Sequence, residues 1–215
     1  AKHFIFMEYF IVERGIMWNA ILEVLEQKAK EGLEVRFMYD GMCSISKLPS
    51  DYPWYLRRRG IRCKVFNPIN PIVSTIQNNR DHRKITVIDG KVGFTGGYNL
   101  ANEYFNLTHP YGQWKDTGIR LEGDAVRSLT VTFLEMWNAV NDKDENDTDF
   151  ARFLLEYPYK AQQTGFVQPY ADSPLDGEKV GEEVYISMVN KAEKYCWFMT
   201  PYLIITDEMS HALCL

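Results

Sequence analysis

The side chains with the clearest chemical potential lie between residues 82 and 99. His82 and Lys84 are two positions apart, and on a β-strand that spacing points both side chains to the same face. Ile85 and Val87 would then enter the core from the opposite face. An imidazole beside an ammonium group suits a phosphoryl group, because the imidazole can attack phosphorus while the cation balances charge on the oxygens. The pair therefore predicts a site for phosphate chemistry.

Three further features follow along the chain. Asp89 stands five residues after Lys84, at the tip of a predicted hairpin, where its carboxylate can accept hydrogen bonds from turn amides and fix the loop. Gly96 and Gly97 would let the backbone approach an oxyanion closely, and the Asn99 amide could donate a hydrogen bond to it. An isolated His-x-Lys pair is commonly an ordinary strand face. The complete pattern has a chance frequency on the order of a few in a million, so we interpret it as functional.

The surrounding sequence predicts an α/β fold with a mixed, mostly parallel sheet flanked by helices. Short apolar runs alternate with segments of helical periodicity, which is typical of parallel strands covered by helices. The predicted strands are 4–11, 33–39, 61–66, 82–88 and 92–95, and the predicted helices are 15–30, 53–59 and 129–139. Turns are predicted at Asp40-Gly41 and Asp89-Gly90-Lys91, and Gly32 is predicted as a left-handed helix cap.

The composition is that of an ordinary globular chain. Its 215 residues are 46% hydrophobic and 25% charged, with a net charge of -5, which excludes a disordered or fibrous protein. The chain as a whole lacks the basic footprint of a nucleic-acid binder, and positive charge is concentrated at Arg80, Arg83, Lys84 and Lys91. No apolar run reaches the roughly 18 residues that predict a membrane span. Cysteines and histidines are not spaced like zinc ligands, so we expect no metal and no cofactor.

An internal similarity suggests a repeat. Residues 2–11 resemble residues 194–204, with a lysine, a phenylalanine and a methionine at matching positions. Two similar buried strands could arise by chance, but a repeat predicts that a second copy of the unit begins at about residue 190. We therefore predict a first repeat over 1–175 and the start of a second, truncated repeat over 176–215. Both ends of the chain look cut, so we expect a longer parent protein. Residues 141–149 contain no apolar side chain and are predicted to form a solvated linker.

The chemical pattern resembles the HKD motif of the phospholipase D superfamily. The matching residues are His82-x-Lys84-x4-Asp89-x6-Gly96-Gly97-x-Asn99. The wider chain is similar to bacterial cardiolipin synthases almost from end to end. The supporting stretches include 9–11, 32–36, 66–68, 97–104, 114–116 and 200–203.

The resemblance implies metal-free phosphatidyl transfer, in which two phosphatidylglycerol molecules give cardiolipin and glycerol. In the family, the histidine of one HKD motif attacks phosphorus and forms a phosphohistidine. The histidine of a second motif protonates the leaving alcohol and then activates the incoming one. Carried over, His82 is the nucleophile or the acid-base residue, while Lys84, Asn99 and the backbone at Gly96 and Gly97 hold phosphate oxygens.

Two acidic residues complete the implied site. Asp89 belongs to the motif and is interpreted as a structural anchor. Asp116 resembles the family's acidic residue that accepts a hydrogen bond from the far nitrogen of the motif histidine. Glu8 and Glu103 could also line the pocket, although Glu103 could equally be a helix-start glutamate. The aromatic and basic stretch 52–59 could contact an anionic lipid surface, or its arginines could suit the C-terminal dipole of a helix.

The sequence carries one HKD motif, so the resemblance implies half of an active site. The partner would be a second HKD repeat in the full-length chain or a dimer mate, and the substrate an anionic phospholipid, with no nucleic acid expected. The implied location is the bacterial cell membrane, with the catalytic domain on the cytoplasmic side. The alternatives are a phospholipase D-type phosphodiesterase, a single-HKD nuclease that completes its site as a homodimer, and a non-catalytic fragment.

Overall fold

The computed structural model describes residues 1–68, 79–140, 146–162, 165–173, 177–200 and 202–215. The chain divides into two compact units, Ala1–Pro169 and Tyr170–Leu215. The repeat boundary after residue 175 stays a prediction.

Within the described ranges, the first unit is built on one six-stranded mixed sheet. Its strands are β1 (Phe4–Tyr9), β2 (Glu34–Asp40), β3 (Ile61–Phe66), β4 (Lys84–Ile88), β5 (Val92–Gly96) and β6 (Gly118–Glu122). They lie in the order β3-β2-β1-β4-β5-β6. The first three strands pair in parallel, and β4, β5 and β6 are added by antiparallel pairs. The predicted mixed α/β class is confirmed, with a smaller share of parallel pairs than predicted.

Helices cover both faces of this sheet. They are α1 (Ile16–Lys30), α2 (Gly41–Ser44), α3 (Tyr52–Arg57) and α4 (Ala125–Ala139). Residues of α1 and α3 share a core cluster with Ile5, Met7 and Tyr9 of β1, whereas residues of α4 share one with Phe4 and Phe6. All six residues of β1 are buried, because this central strand is covered on both faces.

The predicted helix cap at Gly32 and hairpin turn at Asp89-Gly90 are confirmed, whereas one predicted strand start is wrong. Gly32 has φ +90°, and Asp89 and Gly90 have φ values of 55° and 64°, as a helix cap and a tight hairpin turn require. The predicted strand start at His82 is wrong, because β4 begins at Lys84. The histidine therefore precedes the strand and is held by other contacts than sheet pairing.

The predicted solvated linker, residues 141–149, holds for Asn146, Thr148 and Asp149, which are exposed, but not for Asp147. Its first five residues lie outside the described residues, but Asp147 has 6% of its side chain exposed and accepts a 3.0 Å hydrogen bond from Arg36 Nη2. Asn146 Oδ1 accepts a 2.8 Å hydrogen bond from Lys64 Nζ. Arg36 and Lys64 are both buried. The polar run thus supplies partners for two buried cations, which would be costly to leave unpaired.

The second unit contains α5 (Val180–Lys191) and α6 (Asp207–Cys214). The strand that the repeat predicts over residues 194–204 is wrong, since the described residues of this segment form none. Large apolar side chains in it are exposed, among them Trp197 at 85% and Ile204 at 93%. A strand is stabilised by pairing, and β1, which this segment resembles, is paired on both sides. None of the helices in the described ranges combines the length and apolar content needed to cross a membrane.

Candidate active site

Residues of the motif gather at one edge of the sheet. The carboxyl ends of β1 and β2 meet the amino end of β4, since Tyr9 is in register with both Tyr39 and Lys84. Farther along, Gly96 at the end of β5 is in register with Gly118 at the start of β6. The connections after β1, β2 and β5 therefore surround the His-x-Lys pair. We call this end of the sheet the motif edge.

His82 presents its imidazole at the surface of the motif edge. The side chain is exposed, and its ring contacts the Phe10 ring edge-on, with 4.6 Å between the centroids. Partial burial and the neighbouring Lys84 cation lower the pKa of His82, although Asp40 opposes that shift. The imidazole is therefore neutral at neutral pH, which is the state in which a ring nitrogen can attack phosphorus.

Lys84 lies next to this imidazole and is 3% exposed. Its Nζ donates a 2.5 Å hydrogen bond to the His82 carbonyl oxygen and lies 5.0 Å from the centre of the Phe10 ring. Burial lowers the pKa of Lys84 to about 8, although the Asp81 and Asp116 carboxylates act to raise it. The ammonium group is thus charged at neutral pH and loses its proton as the pH rises through about 8.

Asp40, at the end of β2, ties the segment before the motif to the sheet. It does not form the predicted turn, because Oδ1 accepts 3.0 Å hydrogen bonds from the Met42 and Cys43 N–H groups and so caps α2. Oδ2 accepts the Asp81 N–H at 3.1 Å. Asp40 is fully buried, so the residue before His82 is held from the β2 side. The sequence signal for this role is a carboxylate that directly follows a buried strand.

Asp89 lies at the opposite end of β4. Its carboxylate accepts the N–H groups of Lys2, His3 and Phe4 at 2.7, 2.7 and 2.9 Å, and not the turn amides that were predicted. Burial raises the pKa of Asp89, but these three bonds outweigh that effect and lower it. At about 3.3 Å per residue, the strand puts roughly 16 Å between the Cα atoms of Lys84 and Asp89. The structure does not bring Asp89 together with the His-x-Lys pair.

Asn99 lies at the motif edge, with its amide bonded to protein groups. Oδ1 accepts the Ile11 N–H at 2.9 Å, and Nδ2 donates to the Tyr104 hydroxyl at 2.9 Å. The first bond joins the connection after β1 to the connection after β5, and the second lies within the connection after β5. The contact between Asn99 and a phosphate oxygen stays a prediction, and it would use the second Nδ2 hydrogen.

Gly96 and Gly97 are explained by close approach of protein atoms. A Cβ at Gly96 would lie 2.5 Å from the Thr117 carbonyl oxygen, and a Cβ at Gly97 would lie 2.4 Å from Asp116 Oδ1. Both distances are far inside van der Waals contact. The two glycines therefore let the segment before β6 pack against the motif edge, and their contact with an oxyanion stays a prediction.

Asp116 occupies the space that Gly97 leaves. Oδ2 accepts a 3.0 Å hydrogen bond from Trp114 Nε1, and Oδ1 accepts the Thr117 N–H at 2.7 Å. Its carboxylate also opposes the drop in the pKa of Lys84 that burial causes. The structure thus places Asp116 in the electrostatic surroundings of the motif lysine, and its hydrogen bond to the motif histidine stays a prediction.

The aromatic and basic stretch around α3 is mostly engaged within the protein. Trp18 Nε1 donates a 2.6 Å hydrogen bond to the buried Tyr52 hydroxyl, and the Arg59 guanidinium lies 3.5 Å from the centre of the Tyr55 ring. Trp54 is exposed. These contacts therefore stabilise α3 within the protein. The exposed Trp54 side chain could contact a lipid surface.

The two glutamates suggested for the pocket have different surroundings. Glu103 is partly exposed in the short 3₁₀ helix Asn102–Phe105. Glu8 is fully buried on β1, so it does not line an open pocket. In the part of the chain that the structure describes, no three His, Cys, Asp or Glu side chains are grouped so that they could hold a metal ion.

Comparisons with known proteins show similarity along almost the whole chain. The chain is 54% identical over 213 residues to an uncharacterised protein of Streptococcus mutans, covering 99% of this chain and 45% of that protein. It is 38% identical over 215 residues to a cardiolipin synthase of Alkalihalophilus pseudofirmus, covering 99% of this chain and 42% of that enzyme. The chain thus spans less than half the length of these relatives.

A solved structure and a family model complete the comparison. Nuc, a phospholipase D family member from Salmonella typhimurium, matches with a TM-score of 0.42 and 20% identity, over 65% of this chain and 78% of that chain. Residues 1–137 match the family described as cardiolipin synthase, PLD-like domain. That match runs from β1 into the last turn of α4 and includes the complete motif. The chain belongs to this family of PLD-like domains, within the phospholipase D superfamily.

Proposed function

We propose that this chain is one catalytic half of a phosphatidyltransferase of the cardiolipin synthase type. The observation that carries the proposal is the 38% identity to a cardiolipin synthase over all 215 residues, a span that includes the motif and the elements that position it. The proposed reaction joins two phosphatidylglycerol molecules into cardiolipin and releases glycerol.

The step assigned to this chain is attack by a neutral His82 nitrogen on the phosphorus of phosphatidylglycerol. A P–N bond forms, the P–O bond to glycerol breaks, and the phosphatidyl group is carried as a phosphohistidine. A hydroxyl group of the second phosphatidylglycerol then attacks phosphorus and restores free His82. The lowered pKa of His82, caused by burial and by Lys84, supports the role of nucleophile because it keeps the imidazole unprotonated.

Lys84 is assigned to the phosphate oxygens. Its ammonium group lies beside His82 in a poorly hydrated position, where a positive charge stabilises developing negative charge more strongly than in water. Asp116 supports this role, because its carboxylate helps to keep Lys84 protonated.

The proton transfers are assigned to a second HKD histidine. It would protonate the glycerol oxygen as the P–O bond breaks and later accept the proton of the incoming hydroxyl group. The sequence contains a single His-x-Lys-x4-Asp pattern, so we assign the second one to another repeat of the same polypeptide or to a partner molecule.

Exposed apolar side chains at the motif edge support a lipid substrate. In the described part of the first unit, the connections at this edge expose Met42 at 51%, Ile45 at 58% and Tyr111 at 78%. Exposed apolar groups of this kind can enter the boundary between lipid headgroups and acyl chains. We therefore place the enzyme at a membrane surface.

The test uses the full-length protein that contains this chain and vesicles of labelled phosphatidylglycerol. We expect cardiolipin and glycerol as products, with no product from the His82→Asn variant. The matched control is His109→Asn, since His109 is an exposed residue outside the motif, and its activity should be unchanged. If phosphatidic acid forms and cardiolipin does not, the activity is that of a phospholipase and the proposed transferase activity is refuted. Equal loss of activity in both variants would refute the role of His82.

A further inference from the structure

Two buried carboxyl groups beneath the motif have no part in the proposed chemistry. Glu8, on β1, is 0% exposed, and Asp81, directly before His82, is 2% exposed. Among the described residues, neither oxygen of the Glu8 carboxylate nor Oδ2 of Asp81 has a hydrogen-bond partner. Arg83 Nη1 lies 3.8 Å from Glu8 Oε1, which is beyond hydrogen-bond distance. Two ionised carboxylates placed in this way would repel each other and lack compensation for their lost hydration.

A single proton removes both difficulties. An ionised carboxylate accepts hydrogen bonds but cannot donate one, whereas a protonated carboxyl group does both. Glu8 and Asp81 are within hydrogen-bonding reach of each other once one of them is protonated. The sheet neighbours of Glu8 are Met38 on β2 and Ile85 on β4, and both are apolar. The bond to Asp81 is therefore the one that can satisfy the Glu8 carboxyl group.

The direction of proton sharing follows from the surroundings. Burial raises the pKa of Glu8 well above its usual value, and the Asp81 charge adds to that, while Arg83 opposes it. Burial also raises the pKa of Asp81, and the hydrogen bond from Glu8 acts to lower it. Glu8 is thus the donor and Asp81 the charged acceptor.

Other charged groups around the pair act mainly on Asp81. Asp40, on β2, adds a second negative charge that disfavours ionisation of Asp81, and Arg83 favours it. Lys84, at the start of β4, is attracted to the Asp81 charge. One buried anion among these groups is balanced, whereas a second anion at Glu8 would face Arg83 as its nearest cation without hydrogen-bond contact.

We propose that Glu8 and Asp81 share one proton, and that this protonated pair positions the His82–Lys84 segment against β1. Asp81 is then held from two sides, because Asp40 accepts its N–H and Glu8 donates to its carboxylate. Since His82 is the next residue, removal of the proton would push Asp81 from β1 and displace the imidazole with it. Glu8 and Asp81 are positioning residues in this scheme. The inference does not depend on which phosphodiester is the substrate.

The first experiment compares urea unfolding of the 215-residue chain with that of Glu8→Gln between pH 5 and pH 9. The amide keeps the shape and the donor of a protonated glutamate but has no proton to lose. A carboxyl group whose pKa is raised on folding lowers stability as the pH rises above its unfolded-state pKa, up to its folded-state pKa. We therefore expect Glu8→Gln to be more stable than the unsubstituted chain, by a margin that grows with pH. The control Glu23→Gln, at an exposed position on α1, should follow the unsubstituted chain.

The second experiment reports on the proton and on His82 directly. Infrared spectra at pH 7 should show a protonated carboxyl band that is lost in Glu8→Gln and kept in Glu23→Gln. In NMR titrations, the His82 ring should keep its midpoint in Glu8→Gln and change it in Glu8→Ala, which lacks the donor. If Glu8→Ala does not fold, the infrared and stability measurements on Glu8→Gln decide the test. Absence of the protonated band at pH 7, or a Glu8→Gln stability profile parallel to that of the unsubstituted chain, overturns the proposal.

Discussion

Replacement of Asp89 separates the structural part of the motif from its chemistry. Asp89→Ala removes the acceptor for the N–H groups of Lys2, His3 and Phe4, each worth about 1–1.5 kcal/mol net in a folded protein. Asp89 also has φ 55°, and this left-handed conformation costs alanine about 1 kcal/mol more. The free energy of unfolding should therefore fall by about 4–5.5 kcal/mol.

Asp89→Asn provides the matched comparison. The asparagine keeps an oxygen in the place of Oδ1, which accepts the His3 and Phe4 N–H groups, and it tolerates the left-handed conformation. It loses the bond from Lys2, so the expected decrease is about 1–2 kcal/mol. Urea unfolding of the 215-residue chain measures both variants. We expect the free energy of unfolding to be lowest for Asp89→Ala, intermediate for Asp89→Asn and highest for the unsubstituted chain.

The pH dependence supplies a second check. Since the pKa of Asp89 is lowered on folding, its ionised form contributes stability above the unfolded-state pKa, and that contribution is lost as the pH falls through the folded-state value. The difference between the unsubstituted chain and Asp89→Ala should thus shrink below about pH 4. In the full-length protein, Asp89→Asn should keep activity within about twofold while it remains folded. Normal stability with abolished phosphohistidine formation would refute the structural assignment.

Lys84 and Asp147 offer independent tests. Because the pKa of Lys84 is about 8, the affinity of the full-length protein for a phosphodiester analogue should fall as the pH rises through about 8. In Lys84→Arg, this loss of affinity should occur at a higher pH. An unchanged dependence of affinity on pH would contradict the assignment of Lys84 to the phosphate oxygens. Asp147→Ala removes one of two carboxylate partners of the buried Arg36, so urea unfolding should show a loss of about 2–4 kcal/mol. Asp51→Ala, an exposed control, should stay within about 0.5 kcal/mol, and similar losses in both would refute the reasoning.

Local signals predicted the elements that depend on neighbouring residues. The spacing of apolar residues along α1, the alternation in β2 and the turn at Asp89-Gly90 all act over a few positions, so the sequence reports them directly. The strand predicted over residues 194–204 failed for the opposite reason, since pairing partners decide whether an apolar run becomes a strand.

Contacts between distant polar residues could not be predicted. Asp40 and Asp81 are 41 positions apart, and Arg36 and Asp147 are 111 positions apart. A single charged residue in a sequence gives no sign of whether it will be exposed or buried against a partner. Asp147 is an example. Its polar neighbours in the sequence predicted that it would be exposed to solvent, but its carboxylate pairs with the buried Arg36.

The charges around the motif show why the proton on Glu8 matters for binding as well as for position. The cations are Arg80, Arg83 and Lys84, and the carboxylates that act on them or on their partners are Asp40, Asp81 and Asp116. These six charges cancel when Glu8 is neutral. An ionised Glu8 would give the edge a net negative charge and repel the phosphodiester. A neutral Glu8, as proposed, therefore favours the approach of an anionic substrate to His82.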